Sequence, residues 1–376
     1  MGVTIGRHDV WEEPPAAGNG PDRWNARTDP PRRGVPPPAA APSGHPGEGL
    51  PRQGNCRRDD GRLLAVWGPT GAPGRTTLAI GLAAELAQLG HRTLLVDADT
   101  YGPSVAQRLS LMNGSTGLGH ALQEAARGTL DVARLRGLAE EALPGLRVLT
   151  GVPRPSRWPD TDLPGLRSLW PLTRRSAAWT VVDCGFHLET PAEATGGNGA
   201  SRRGVATLST LQEADLVLVV GQADPVGLTR LVRGLSELRA LLPPDRPVQV
   251  VVNRLRPGAV GSAPERRVAL ALRRYAGVHD PILVPDDPVA HDRALLRALP
   301  LNQVAADSPA RQALRSLTDR LTAGRPSEGR PPGPGTRCGS ANRRGGRPAP
   351  QRARGRRRRW AGAGEARHEL ILRMVR

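Results

Sequence analysis

Apolar residues along this chain fall into two rhythms. Short runs rich in Val, Leu and other β-formers occupy 63–67, 93–96, 147–149, 180–182, 216–220, 248–252 and 281–284, and predict seven strands. Between the first two runs, Leu78, Leu82, Leu86 and Leu89 recur at three- and four-residue spacings. That period predicts a helix over 76–89, and Gly90 supplies its stop. A last core helix is predicted over 311–321. Strands that alternate with helical stretches imply a parallel sheet with crossover helices. The expected fold class is therefore α/β, a doubly wound and mostly parallel sheet.

The polar positions that close the strands add a second pattern. The first run is followed by a Gly/Pro loop over 68–74, the second by Asp97 and Asp99, the fourth by Asp183, the sixth by Asn253 and the seventh by Pro285-Asp286. In an open parallel sheet, ligands bind at the carboxyl ends of the strands. These residues, distant in sequence, are expected to line one crevice.

Composition sets the limits of the folded part. Gly (45) and Pro (38) make up over a fifth of the 376 residues and cluster at both ends. Residues 1–60 and 325–376 lack any apolar run that could build a core, and such stretches do not offset their ordering entropy. The expected organisation is a disordered Pro/Gly-rich arm (1–60), one folded domain (61–324) and a disordered Arg-rich tail (325–376). The net charge is +18, and the tail alone holds fifteen Arg against three acids. A tail of this kind attracts nucleic acid, anionic lipid or an acidic protein, or is simply a solvated, biased segment. The chain contains no Lys, so every basic side chain apart from His is Arg. Cys56, Cys184 and Cys338 have no metal-like spacing, and no leader-like or membrane-spanning run stands out. The expected location is the cytoplasm, with a peripheral seat at the inner face of the cell membrane as a further option.

The chemistry-bearing residues start at the loop. Gly71, Ala72, Pro73 and Gly74 form a turn in which the backbone N–H groups of the non-proline residues can wrap a phosphate at the start of a helix. Arg75 follows as the basic residue, and the Thr76 hydroxyl can bind Mg²⁺. The alternative is an ordinary strand-to-helix turn. Asp97 and Asp99 can hold Mg²⁺ through water or orient an attacking water; the alternative is a turn with a helix cap. Asp183 at the end of an apolar strand has the Walker B arrangement, in which the carboxylate reaches the Mg²⁺ shell. Asn253 can hydrogen-bond an adenine edge. Singly, the last two are weak signals.

Together, in order and spacing, these segments resemble the MinD/ParA family of P-loop ATPases. That family opens with a deviant loop, K-G-G-x-G-K-[ST]-T, followed by D-x-D, a D-x-x-G-type Walker B, a V-x-N-R segment and a late I-P-x-D segment. The matching segments here are Thr70-Gly71-Ala72-Pro73-Gly74-Arg75-Thr76-Thr77, Asp97-Ala98-Asp99, Asp183-Cys184-Gly185, Asn253-Arg254 and Val284-Pro285-Asp286. The phrase over 66–77 most resembles actinobacterial CpaE/TadZ-like proteins, associated with positioning the Flp (Tad) pilus machinery. The receiver-like domain that often precedes the ATPase in that group is not matched by residues 1–60.

The resemblance implies ATP and Mg²⁺ as cofactors and a nucleotide-dependent homodimer. It implies phosphate contacts from Gly71, Ala72, Pro73, Gly74, Arg75, Thr76 and Thr77, and metal contacts from Thr76 and Asp183. It implies catalytic roles for Asp97, Asp99 and Arg75, and adenine contacts from Asn253, Arg254, Pro285 and Asp286. Expected partners belong to a pilus, secretion or positioning system. Two family lysines are missing, replaced here by Thr70 and Arg75. Arg keeps the charge on a larger planar fork, so that exchange is not conservative. The rival readings are a non-hydrolysing pseudo-ATPase scaffold and a ParA-like partitioning ATPase that binds DNA. A short membrane-surface element over 369–376 is a further option.

Overall fold

A computed structural model describes residues 61–111, 117–152, 163–189 and 204–323. The two terminal arms, the Arg-rich tail and the 369–376 element lie outside the described residues.

The elements run in the order β1 (Arg62–Trp67), α1 (Arg75–Gln88), β2 (Thr93–Ala98), α2 (Val105–Arg108), α3 (Gly117–Ala126), α4 (Val132–Leu138), β3 (Glu140–Leu143) and β4 (Leu146–Leu149). They continue with α5 (Leu163–Ser176), β5 (Trp179–Cys184), α6 (Val205–Glu213), β6 (Leu216–Gln222), α7 (Pro225–Leu241), β7 (Val248–Leu255), α8 (Pro257–Val260) and α9 (Pro264–Ala276). β8 (Ile282–Pro285), α10 (Pro288–Arg297), α11 (Leu301–Val304) and α12 (Pro309–Thr322) close the domain.

The sheet has eight strands in the order β3-β4-β2-β5-β1-β6-β7-β8. Every pairing is parallel except β3 with β4. The α/β doubly wound expectation therefore holds. The unexpected strand is β3. Its sequence, Glu-Glu-Ala-Leu, carries no apolar run because it is an edge strand with one unpaired side, where charges discourage pairing with another sheet.

Both faces of the sheet are covered, which explains the nearly continuous apolar strands. In β1, Leu63, Ala65 and Trp67 enter one core, while Leu64 and Val66 enter the other, as the two-residue period of a strand requires. The first core includes residues of α3, α5, α6 and α7, and the second is built on α1 and α12. β1 lies between β5 and β6, so the chain winds outward in both directions from the centre. The carboxyl ends of β1, β2, β5, β7 and β8 consequently share one edge, and the predicted strand-end residues sit there.

Candidate functional site

The loop after β1 turns tightly, with the Ala72 N–H donating to the Pro69 carbonyl at 3.0 Å. Gly71 and Gly74 adopt φ values of 75° and 92°, in the left-handed region that favours glycine. Gly74 is the N-cap of α1 and offers no side chain to the first N–H groups of the helix. Those groups and the positive end of the helix dipole suit an anion. Gly74 is also required by its surroundings, because a Cβ there would run into Nδ2 of Asn253. Asn253, near the end of β7, donates that Nδ2–H to the Pro73 carbonyl at 3.1 Å, tying the loop to the far half of the sheet.

The carboxylates meet on the other side of the loop. Asp97 on β2 is in register with Asp183 on β5, and Asp183 is in turn in register with Val66 on β1. Asp97 accepts backbone N–H bonds from Asp99 (3.3 Å), Ser104 (3.0 Å) and Val105 (3.1 Å), so it fixes the turn into α2. Burial pushes Asp97 up to about 7 against the pull of the Val105 N–H, and the Asp99 charge adds to the rise. Asp99 accepts from the backbone N–H groups of Tyr101 and Gly102 at 2.9 and 3.1 Å. Its second oxygen lies 3.6 Å from Nη2 of Arg75. Arg75 thus folds back over the carboxylates, with Nη1 donating to the Gly68 carbonyl at 3.4 Å and the guanidinium 5.9 Å from the Phe186 ring centre.

Asp183 differs from both. It is 1% exposed, and neither of its oxygens accepts a hydrogen bond of ordinary geometry. Burial, then the neighbouring Asp97 charge, hold it well above the usual carboxylate range, while the Thr76 hydroxyl and Arg75 favour its charged form.

Beyond Gly74 and Thr77 opens a cavity of about 370 Å³, bordered by Asn253, Arg254, Pro285 and Asp286. A volume of this size suits part of a small-molecule ligand. Arg254 holds φ at 58°, uncommon for a residue with a Cβ and a known mark of functional sites. Asp286 pairs with Arg256 at 2.7 Å, and its N–H donates to the Leu255 carbonyl at 3.0 Å.

The predicted residues thus form two neighbouring groups: Arg75, Thr76, Asp97, Asp99 and Asp183 around the start of α1, and Asn253, Arg254, Pro285 and Asp286 around the cavity. Gly71, Ala72, Pro73 and Gly74 run between them. Thr77 belongs to the cavity side, and its hydroxyl accepts from Nη1 of Arg108 at 3.2 Å. Sequence reasoning missed Arg108, Arg256 and His291, which also line the cavity. Each is a polar residue on or beside a helix, with no motif around it to single it out.

The profile of the CbiA family, described as the CobQ/CobB/MinD/ParA nucleotide binding domain, matches residues 64–297. The chain belongs to this family. It is 31% identical over 209 residues to the chromosome partitioning protein ParA of Caulobacter vibrioides, covering 51% of this chain and 68% of that protein. The ParA family ATPase of Chlorobium tepidum superposes with a TM-score of 0.55 at 18% identity, over 68% of this chain and 98% of that one. The septum site-determining protein MinD of Pyrococcus horikoshii, solved with Mg-ADP, gives 0.52 at 18% identity, over 71% of this chain and 99% of that one. Membership in a family of nucleotide-binding domains accords with the glycine loop and strand-end carboxylates described above.

Proposed function

We propose that the protein is a magnesium-dependent ATP-binding and ATP-hydrolysing switch that forms a nucleotide-dependent homodimer and positions a larger cellular assembly. Asp183 carries this reading. A carboxylate that is 1% exposed, accepts no hydrogen bond of ordinary geometry and lies beside a left-handed glycine loop is costly unless a cation or a proton meets it. One or two carboxylates together with phosphate oxygens make a usual donor set for magnesium.

In this reading the backbone N–H groups of Gly71 and Gly74 face the phosphates, Ala72 and Pro73 shape the turn between them, and Arg75, Thr76 and Thr77 complete the cradle. Thr76 and Asp183 hold magnesium, which neutralises charge on the transferring phosphoryl group. Asp99 orients the attacking water, because the Asp97 oxygens are engaged by the backbone on which α2 begins. Arg75 exchanges Asp99 for the phosphates. Asn253, Arg254, Pro285 and Asp286 enclose the adenine.

The positioning role is supported by the family and by the ParA relative named for chromosome partitioning. The finer role, in a Flp/Tad pilus or a secretion apparatus, rests on the phrase over 66–77. A cytoplasmic protein with a peripheral membrane seat fits this role. Among the described residues no helix is long and apolar enough to cross a membrane. A second reading, a nucleotide-binding scaffold without turnover, is favoured by the uncharged Thr70 and by the hold of Asp99 on Arg75.

The deciding experiment pairs ATP turnover with a nucleotide titration on the full chain in Mg²⁺. Binding with turnover that drops on Asp99→Ala is expected. Binding without turnover selects the scaffold, and no binding overturns both.

A further inference from the structure

A second cavity, of about 830 Å³, opens at the other end of the phosphate loop. Pro69, Thr70, Arg230 and Arg233 are among its lining residues, and it shares none of them with the cavity beside Gly74. The loop therefore bridges two cavities. A nucleotide whose base occupies the Asn253 cavity would run its phosphates from Gly74 towards Gly71, so that its last phosphate faces the second cavity.

The loop carries no charge at that end, since Pro69, Thr70, Gly71, Ala72 and Pro73 are all uncharged. A cation reaches it from elsewhere. Helix α7 approaches the loop closely at Gly234, where an added Cβ would lie 3.0 Å from the Pro69 side chain and 3.3 Å from Trp67. Four residues earlier on the same helical face stands Arg230. Its guanidinium lies directly on the loop, because a Cβ on Gly71 would run into Arg230 Nη1. Gly71 lacks a side chain because its φ is 75°, and the guanidinium occupies the space a side chain there would take.

Among the described residues Arg230 makes no hydrogen bond or ion pair. Other arginines among the described residues engage an oxygen. Arg174 takes Gly61 and Asp215, Arg136 takes Ser176, and Arg311 takes Glu85. Arg230 is exposed and, among the described residues, unpaired, so its guanidinium on the glycine loop is open to an external anion.

We propose that Arg230 is a phosphate-binding residue that contacts the terminal phosphate of a nucleoside triphosphate and supplies the charge the loop itself lacks. The inference rests on the nucleotide-site reading above. It makes Arg230 the residue that tells a triphosphate from a diphosphate, whereas Gly74, Thr76 and the Asn253 cavity hold both alike.

The test is a titration of the full-length protein with ADP and with a non-hydrolysable ATP analogue, each with Mg²⁺, for the wild type, Arg230→Ala, Arg230→Lys and the double variant Arg230→Ala/Thr70→Lys. In Arg230→Ala the triphosphate analogue should bind about 10- to 100-fold more weakly, as expected for loss of a hydrogen bond to a charged group, with ADP affinity unchanged. Arg230→Lys should retain most of the preference, and a lysine at position 70, lining the same cavity, should restore it to the alanine variant. Retained ADP binding shows that each variant is folded. Equal losses for both nucleotides, or none for either, overturn the proposal while leaving the nucleotide site standing. A wild type that binds neither nucleotide overturns the site and this inference with it.

Discussion

Two carboxylates in this domain are equally hidden and treated in opposite ways. Glu85 in α1 and Asp183 at the end of β5 are each 1% exposed. Glu85 receives Nε of Arg311 at 2.7 Å, and Nη1 of Arg315 lies 3.5 Å from its other oxygen, so α12 answers the charge that α1 buries. Asp183 accepts no hydrogen bond of ordinary geometry, has only the Thr76 hydroxyl and the Arg75 charge to favour its ionised form, and faces a second carboxylate across the β2–β5 pairing. A buried charge is tolerable only when it is paired or neutralised. Where the chain supplies the partner, the carboxylate joins two helices. Where the partner is withheld, the carboxylate is held ready for something that arrives from outside.

The sharpest break in the comparison is to make Asp183 neutral. Asp183→Asn preserves shape and removes the charge proposed to hold magnesium. Turnover should fall by about 10³-fold or more, the scale of losing a group that neutralises the transferring phosphoryl charge. The ligand-free protein should melt no lower than wild type, because the amide keeps the shape and places no charge in this buried position. A lower melting temperature would make Asp183 a structural residue like Glu85 and defeat the contrast.

The next effect is a dependence on pH. An ordinary Asp in the unfolded chain gives up its proton near pH 4, whereas burial holds the folded Asp97 proton up to about 7. Below about pH 4 both states are protonated, and between about 4 and 7 the unfolded state binds fewer protons. Stability of the ligand-free protein should therefore fall as pH rises through that window and level off above it, by an amount on the order of 4 kcal/mol from this group. Denaturant unfolding from pH 4 to 8 reads the slope. Mg²⁺ with ADP should flatten it, since a cation held at the proposed site would also favour the ionised form of the neighbouring Asp97. A rising limb over the same window would mean that the strand-end carboxylates are paired after all.

The contrast also marks how far the sequence could be read. The seven apolar strands, the helix after the glycine loop and the shared edge of Asp97, Asp183, Asn253 and Asp286 were legible, because burial on both sheet faces forces continuous apolar runs and a parallel sheet aligns their carboxyl ends. β3 was not, since an edge strand with Glu140 and Glu141 has no reason to look apolar. The task of Asp97 was legible as two alternatives, metal or water chemistry and a turn with a helix cap, and the side chain does cap the turn into α2 through Ser104 and Val105. Arg108, Arg230 and the Arg311 partner of Glu85 were invisible, because each acts at the end of a long side chain on a residue far away in sequence. Charge patterning along one helix cannot report a partner on another.

The smallest expected effect tests the paired member. Arg311→Ala removes the guanidinium bonded to Glu85, together with its bonds to the Ala306 carbonyl at 2.8 Å and Gln88 Oε1 at 3.2 Å. Breaking a buried pair by deleting one partner costs about 3–5 kcal/mol, and the low end, about 3 kcal/mol, is expected because Arg315 remains near Glu85. Nucleotide affinity of the fraction still folded should be unchanged, since Glu85 lies in α1 some ten residues beyond the phosphate loop. The companion variant Glu85→Gln/Arg311→Met removes both charges while keeping most of the volume, and should recover much of the loss. Chemical denaturation of the three proteins separates the contributions. If Arg311→Ala is as stable as wild type, the α1–α12 contact is held by Leu78, Leu82, Leu314 and Leu317 alone, and the paired carboxylate would be no better served by its neighbours than the unpaired one.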